Sequence, residues 1–144
     1  MPFVVDASVT LAWCFEDEAS PHTDAILDLL SDDTAVVPSL WELEVSNVLL
    51  LGERSRRLTE SQTARFVALL GQLPILVDSA SVTMEAVLAV GGHHALTAYD
   101  AAYLVLAERE GVPLATLDTK LRNAARAVGV QLIPETEQAA TDDA

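Results

Sequence analysis

The sequence predicts an α/β fold: one domain with a central parallel β-sheet of about five strands and helices on both faces. Three observations lead to this prediction. The 144 residues are 51 % hydrophobic, which is enough for one core. Short apolar runs rich in β-branched residues recur along the chain, and stretches with helical spacing separate them. Parallel neighbours need long crossovers, and the helical stretches supply them.

The first half of the chain begins with an apolar strand at 3–5, and helical spacing follows from Val9 to Phe15. Ser20-Pro21 can cap a second helix, over 21–31. Pro38 ends a second strand at 35–37, and a third helix follows over 40–54. The apolar side of this third helix is assigned to Leu43, Val48, Leu50 and Leu51.

The second half continues the alternation. Thr59 with Gln62 forms a capping box that begins a fourth helix, and a third strand follows at 74–77. A fifth helix over 81–90 ends at Gly91-Gly92, and Thr97 caps a sixth helix that runs to residue 110. The remaining elements are a strand at 114–117, a helix at 120–128 and a strand at 130–133.

The domain is expected to span residues 1–134, and residues 135–144 form an acidic tail that we expect to be flexible. The lone Cys14 excludes an internal disulfide, which favours a reducing cytoplasmic setting. The first 15 residues contain no Lys or Arg and are interrupted by Asp6, unlike a signal peptide. No stretch approaches the about 20 apolar residues of a membrane span, so we expect no membrane partner.

The charge balance limits the possible partners. Eight basic residues against 22 acidic ones give a net charge of −14. Such a chain does not adhere to nucleic acid or anionic lipid by its overall field. Any contact with RNA must therefore use a local basic patch or bound cations.

Acidic residues occupy the positions where a parallel sheet binds ligands. Asp6 follows the first predicted strand and Asp118 follows the fourth, so both lie at the carboxyl edge of the sheet. Glu44 and Asp100 lie on otherwise apolar helical stretches, where an unpaired charge is costly to bury. If the first and fourth strands are neighbours, the carboxylates of Asp6 and Asp118 meet above the sheet.

Four carboxylates that lie close together need a cation to neutralise their charge. Two like charges about 4 Å apart repel by about 4 kcal/mol at an effective dielectric constant near 20, so each raises the pKa of the other. Oxygen ligands without His or Cys favour Mg²⁺ or Mn²⁺ over zinc. Metals held in this way activate water and grip a phosphate, which is the chemistry of phosphodiester hydrolysis.

Each acid also has a purely structural interpretation, and both interpretations stay open on the sequence alone. Asp6 and Asp118 can cap the helices that follow them, and Asp100 can lie in the first turn of its helix. Glu44 can lie on a solvated helix face, as we expect for Glu42.

Four fragments resemble the PIN-domain ribonucleases, and in particular the VapC-like toxins of prokaryotic toxin–antitoxin pairs. They are Val4-Val5-Asp6-Ala7-Ser8, Glu44-Val45-Ser46-Asn47-Val48-Leu49, Tyr99-Asp100-Ala101-Ala102-Tyr103 and Thr116-Leu117-Asp118. The resemblance covers residues 2–134 and implies a PIN-type strand order. It also implies metal-dependent endonucleolytic cleavage of RNA, with Mg²⁺ or Mn²⁺ as cofactor, a homodimer, and inhibition by a cognate protein antitoxin.

The resemblance assigns roles residue by residue. The implied metal ligands and catalytic residues are Asp6, Glu44, Asp100 and Asp118. Candidates for orienting the carboxylates or water are Ser8, Asn47 and Thr116, which are alternatively a helix cap, an interior polar group and a strand residue. Candidates for gripping RNA phosphates are Arg54, Arg56, Arg57, Lys120 and Arg122, in two patches that Arg65 and Arg126 extend. Solvated helix ends are the alternative for both patches.

Two rival enzyme classes share this architecture. A phosphoacceptor receiver domain needs paired acids after its first strand, and a haloacid-dehalogenase-like phosphatase needs an aspartate two residues after Asp6, where Ser8 stands. Both are disfavoured. The alternative function is a catalytically silent PIN-like module that binds RNA or protein.

Several other residues receive structural roles. Trp13 and Trp41 are expected to pack in the core or a dimer, and His93-His94 to lie in a loop away from any metal. Asp78 is expected to cap the helix after the third strand. Apolar residues at 49–51 and 69–70 exceed what one small core needs, which predicts a surface buried by a second copy or an antitoxin.

Overall fold

A computed structural model describes residues 1–80 and 82–135. Its strands form one parallel sheet in the order β3-β2-β1-β4-β5. The strands are β1 Phe3–Val5, β2 Ala35–Pro38, β3 Ile75–Asp78, β4 Leu114–Ala115 and β5 Leu132–Ile133. The predicted five-stranded parallel sheet is confirmed. The predicted tail beyond residue 135 lies outside the described residues.

The helices alternate with these strands as expected for crossover connections. Their bounds are α1 Ala7–Ala12, α2 Pro21–Leu29, α3 Leu40–Arg54, α4 Glu60–Gln72, α5 Met84–His94, α6 Ala98–Glu110 and α7 Thr119–Val128, with a short 3₁₀ turn at Glu16–Glu18. Capping boxes at Ser20 and Thr59 begin α2 and α4. Gly111 and Gly129 end α6 and α7 in the left-handed conformation.

The direction of winding reverses between β1 and β4. The chain moves outward from β1 to β2 and β3, then crosses to β4 and β5 on the other side. Because such crossovers are right-handed, α1–α4 cover one face and α5–α7 cover the other. The buried strand residues Val4, Val5 and Leu114 lie between these layers at the centre of the core. The reversal creates a crevice at the carboxyl ends of β1 and β4.

The prediction that Gly91-Gly92 ends the fifth helix is wrong. Helix α5 continues to His94 and ends at Ala95, which takes the left-handed conformation with φ of 56°. Gly91 lies within this helix, where the chain approaches it closely: a Cβ there would lie 3.2 Å from the carbonyl oxygen of Leu96, which favours glycine. His93 and His94 are therefore helical, and not in a loop. The N-cap is Thr83, and the predicted start at residue 81 lies outside the described residues.

The assignment of the buried side of α3 is wrong for Leu43, Leu50 and Leu51, whereas Val48 packs partly against the core. The buried residues of α3 are Trp41, Val45, Leu49 and Gly52. Leu43 is 75 % exposed, and Leu50 and Leu51 are about half exposed. The helix carries apolar side chains on every side, so periodicity alone does not identify its core face.

Strand ends differ from prediction by a few residues. Pro38 is the last residue of β2, one residue beyond the predicted bound, and β4 ends at Ala115, before Thr116 and Leu117. Within the described part of the chain, no helix combines the length and the apolar character needed to cross a membrane.

Candidate active site

The site lies where the winding reverses, at the carboxyl ends of β1 and β4. The two strands pair directly, with Val5 opposite Ala115, which confirms the adjacency that the sequence analysis required. Asp6 follows β1 at once, and its backbone N–H donates to the Ala115 carbonyl oxygen at 3.1 Å. Asp118 comes after two connecting residues, and it begins α7. Both carboxylates therefore stand at the edge of the sheet where α/β folds bind ligands.

Asp6 is the most deeply buried acid at this edge, with 4 % of its surface exposed. Its Oδ1 accepts hydrogen bonds from the Ser8 hydroxyl at 2.7 Å and the Val9 N–H at 3.2 Å. Its Oδ2 accepts one from the Thr116 hydroxyl. The pKa of Asp6 is raised to about 6 in total. Burial is the largest cause and the charge of Asp100 adds to it, whereas these three hydrogen bonds lower the pKa.

Two hydroxyls connect Asp6 to the segment after β4. Thr116 Oγ1 donates to Asp6 and accepts from the Asp118 N–H at 3.0 Å. Ser8 Oγ donates to Asp6 and accepts from the Leu117 N–H at 3.3 Å. These hydrogen bonds fix the position of Asp118 relative to Asp6. The structure thus places Ser8 and Thr116 in contact with an acid, as predicted for orienting groups.

Glu44 and Asp100 approach this edge from helices on opposite faces of the sheet. Asp100 lies in the first turn of α6, where Thr97 caps the helix by accepting from the Asp100 N–H at 3.1 Å. Glu44 lies in the second turn of α3, and its Oε1 accepts a hydrogen bond from the Tyr103 hydroxyl at 2.6 Å. Both acids are half-buried, whereas Glu42 is exposed, as expected.

The charges of the four acids act on one another. The pKa of Asp100 is raised by its partial burial and by the charges of Asp118 and Glu44. Asp100 in turn raises the pKa of Asp6. Asp100 is therefore the member that is coupled to all three others. We refer to Asp6, Glu44, Asp100 and Asp118 as the carboxylate cluster.

The structural interpretations of Asp6 and Asp118 hold at the same time. Asp6 caps α1 through the Val9 N–H, and Asp118 caps α7 through the Leu121 N–H at 2.8 Å. Each cap uses one carboxylate oxygen as an acceptor and leaves lone pairs on the same carboxylate available. Capping orients these two side chains at the edge of the sheet, and does not exclude a second role.

The donor chemistry of the cluster fits Mg²⁺ or Mn²⁺. Its members offer carboxylate oxygens, which these hard cations prefer. Across residues 1–80 and 82–135, no three His, Cys, Asp or Glu side chains are arranged so that they could hold one metal ion by themselves. Mg²⁺ usually binds through one or two carboxylates and completes its shell with water and substrate phosphate, so a looser cluster suits it.

Two of the predicted RNA-binding residues have other partners. Arg122 is 3 % exposed and donates to the carbonyl oxygens of Thr116 at 2.9 Å and Pro134 at 2.6 Å. It supports the segment that carries Thr116 and cannot reach RNA, so its assignment as an RNA contact is wrong. Arg57 pairs with Asp17 and Glu18 and lies 3.8 Å over the Phe15 ring. Arg54, Arg56 and Lys120 are exposed.

Several other predicted residues are also placed by the structure. Asn47 is exposed on α3, one turn after Glu44. Asp78 lies on the edge strand β3 and pairs with Arg109 at 2.6 Å, whereas Thr83 caps α5, so the capping role predicted for Asp78 is wrong. The indole N–H groups of Trp13 and Trp41 donate within the fold, to Thr23 and Thr10, which confirms their packing role.

Sequence reasoning missed Tyr103 as a member of the site. This side chain is buried, and its hydroxyl contacts Glu44 from a helix far along the chain. The available signal was its spacing, since Tyr103 lies three residues after Asp100 and so on the same side of α6.

The chain is similar to known proteins both in sequence and in structure. The PIN domain family model matches residues 3–127. Ribonuclease VapC3 of Pyrobaculum aerophilum is 30 % identical over 123 residues, which are 84 % of this chain and 92 % of that protein. The crystal structure of PAE2754 from Pyrobaculum aerophilum is similar with a TM-score of 0.68 and 26 % identity, over 93 % of both chains.

A second solved structure shows the same fold at lower identity. VapBC2 from Rickettsia felis, bound to a DNA fragment from the promoter, has a TM-score of 0.59 and 12 % identity. The match covers 95 % of this chain and 96 % of that one.

The raised pKa of Asp6 predicts how stability depends on pH without metal. A carboxyl whose pKa rises from 3.8 unfolded to about 6 folded binds its proton more tightly in the folded state. The stabilisation of the folded state by this carboxyl group is therefore fully present below the unfolded pKa and is lost as the pH rises through the folded pKa. We expect this one group to cost on the order of 3 kcal/mol of unfolding free energy between about pH 4 and pH 7.

Urea unfolding in EDTA across this pH range measures the effect. The Asp6→Asn variant should lose this part of the pH dependence, whereas Glu42→Gln, which removes an exposed acid, should keep it. A wild-type pH profile that matches that of Asp6→Asn would contradict the prediction.

Proposed function

Since this chain belongs to the PIN domain family, we propose that it is a metal-dependent endoribonuclease that acts as the toxin of a toxin–antitoxin system. Its reaction is the hydrolysis of RNA phosphodiester bonds. The observation that supports this proposal best is the carboxylate cluster at the switch point of the sheet. The similarity to Ribonuclease VapC3 over most of both chains supports the same reaction class.

Asp6, Glu44, Asp100 and Asp118 would hold the cation. A bound Mg²⁺ or Mn²⁺ supplies positive charge that lowers the pKa of water and offsets the charge of the scissile phosphate. In its absence the acids repel one another and their burial is unfavourable, as the raised pKa values of Asp6 and Asp100 show. The unfavourable free energy of burying the acids close together is therefore offset when a cation binds.

The residues around the acids control the orientation of the carboxylates. Ser8, Thr116 and the Val9 N–H fix the plane of the Asp6 carboxylate, and Thr116 also holds the backbone of Asp118. Second contacts of this kind orient metal ligands and tune their basicity. Asp100, which is coupled to the other three acids, is the member best placed to share a cation with any of them.

Substrate binding must overcome the net charge of −14. Lys120 is exposed in the first turn of α7, two residues after Asp118, and is therefore the basic side chain nearest in sequence to the cluster. It is the best candidate for gripping a phosphate next to the scissile bond. Arg54 and Arg56, at the end of α3, are exposed candidates for a more distant phosphate.

The proposal includes a homodimer and a protein antitoxin in the cytoplasm. The solved structure from Rickettsia felis is of a VapBC assembly with the present fold. Leu50 and Leu51 on α3 and Leu69 on α4 are 42–52 % exposed, whereas Leu49 is in the core and Leu70 packs partly against it, so only part of the predicted apolar surface is exposed. A partner that covers these leucines removes them from water. The single Cys14 is compatible with a reducing compartment.

Cleavage of structured RNA with Mg²⁺ or Mn²⁺ tests the proposed reaction. We expect Asp6→Asn and Asp100→Asn each to lower the rate by about 100-fold or more, because each removes charge that binds the cation. The Glu42→Gln variant, which removes an exposed acid two residues from Glu44, should cleave like the wild type. EDTA should abolish cleavage. Equal cutting by all four proteins would contradict the assignment, and RNA binding without any cutting would favour the silent module.

The role of Lys120 is tested by binding of RNA to the Asp6→Asn background at several salt concentrations. Loss of one phosphate contact to a single strand should lower the slope of log K against log salt by about 0.7. Lys120→Ala should show this change in fluorescence anisotropy. Arg57→Ala should not, because Asp17 and Glu18 already neutralise Arg57. An unchanged slope for Lys120→Ala would remove Lys120 from the RNA interface.

Light scattering tests the homodimer. At micromolar concentration the purified chain should have twice the 15.4 kDa mass of one copy. Replacing Leu50 and Leu51 by Glu should lower the mass if these leucines lie in the interface, because burying carboxylates unpaired is costly. A wild-type protein that stays at the mass of one copy would contradict the dimer.

A further inference from the structure

Tyr103 packs in the core and also contacts the carboxylate cluster. It is the largest side chain of the described chain that is fully buried, and its exposed fraction is 1 %. Its one polar atom, the hydroxyl oxygen, donates to Glu44 Oε1 at 2.6 Å. A buried tyrosine needs a hydrogen-bond partner, and here the partner is a carboxylate of the cluster, 59 residues away along the chain.

The bond has the character of a strong one. An oxygen-to-oxygen distance of 2.6 Å is that of a hydrogen bond to an ionised acceptor. The phenol O–H is the donor in this bond, so the hydroxyl connects helix α6 to a member of the cluster on α3.

Within residues 1–80 and 82–135, the side-chain hydrogen bond to the Glu44 carboxylate comes from Tyr103. The residues Glu42 and Leu43, which precede Glu44 on α3, are exposed, and so is Asn47 one turn later. Like charges repel, so a contact is needed to keep Glu44 close to the other acids. The Tyr103 hydroxyl supplies such a contact through Oε1 of Glu44.

We propose that Tyr103 is a positioning residue that holds the Glu44 carboxylate inside the cluster for binding of the divalent cation. This inference rests on the proposed function, because it concerns the same cation. Helix α6 then has two roles in the site: Asp100 in its first turn supplies a carboxylate, and Tyr103 one turn later fixes another carboxylate that belongs to α3.

Calorimetric titration with Mn²⁺, without RNA, tests the inference. Tyr103→Phe keeps the ring and removes only the hydroxyl, and the half-buried Glu44 can take a water instead. We expect about 10-fold weaker Mn²⁺ affinity, which is the effect typical of losing a group that orients a ligand. Tyr99→Phe is the matched control on the same helix, with a side chain 63 % exposed, and should bind Mn²⁺ like the wild type. Circular dichroism establishes that each variant is folded.

A second comparison separates positioning from a general effect on the core. In the Glu44→Ala background, Tyr103→Phe should change Mn²⁺ affinity by less than about 2-fold, because the group through which Tyr103 acts is gone. A hydroxyl that matters only for packing would cause the same loss in both backgrounds. In the wild type, the Tyr103 hydroxyl proton should remain visible by NMR when Mg²⁺ is saturating, and this measurement needs no variant.

The outcomes distinguish this inference from the proposed function. If the wild type binds Mn²⁺ and cleaves RNA but Tyr103→Phe binds Mn²⁺ equally well, the positioning role is refuted and the nuclease stands. Equal losses in both backgrounds, or a hydroxyl proton that Mg²⁺ displaces, also refute it. If the wild type neither binds Mn²⁺ nor cleaves RNA, the proposed function fails and this inference fails with it.

Discussion

Repulsion among carboxylates at the reversal of the sheet is the constraint on which the site depends. Asp6 and Asp118 stand there because each follows a strand of an adjacent parallel pair. Asp100 and Glu44 belong to the helices α6 and α3, and burial, followed by the charges of neighbouring acids, raises the pKa of Asp6 and of Asp100. Such an arrangement lowers the stability of the empty protein and raises its affinity for positive charge. At this edge of the sheet, the same arrangement of acids therefore favours cation binding and disfavours folding of the empty protein.

The surrounding structure holds the acids together with short polar contacts. Ser8 and Thr116 donate to Asp6, Tyr103 donates to Glu44, and Thr116 fixes the backbone of Asp118. The buried guanidinium of Arg122 holds the carbonyl of Thr116, so the support extends from α7 through the segment after β4 to Asp6. Polar networks of this kind are stable when their members have partners, and they give the acids defined orientations.

The fold and the principal acids could be predicted because the sequence signals are local. A strand followed at once by an acid, as at Asp6, identifies the carboxyl edge of a parallel sheet. The burial of Arg122 could not be predicted, because its acceptors lie on two other segments. The link between Tyr103 and Glu44 joins helices far apart in the chain, and the core face of α3 is ambiguous because apolar residues surround that helix. The close approach of Leu96 to Gly91, which favours glycine inside the helix, is likewise not shown by periodicity.

Anomalous diffraction from crystals grown with Mn²⁺ tests the central claim most directly. We predict an anomalous peak between β1 and the start of α6, within ligand distance of carboxylate oxygens from Asp6 and Asp100 and with Glu44 or Asp118 adjacent. No peak at this edge of the sheet at saturating Mn²⁺, or a peak bound only by acids elsewhere on the surface, would contradict it.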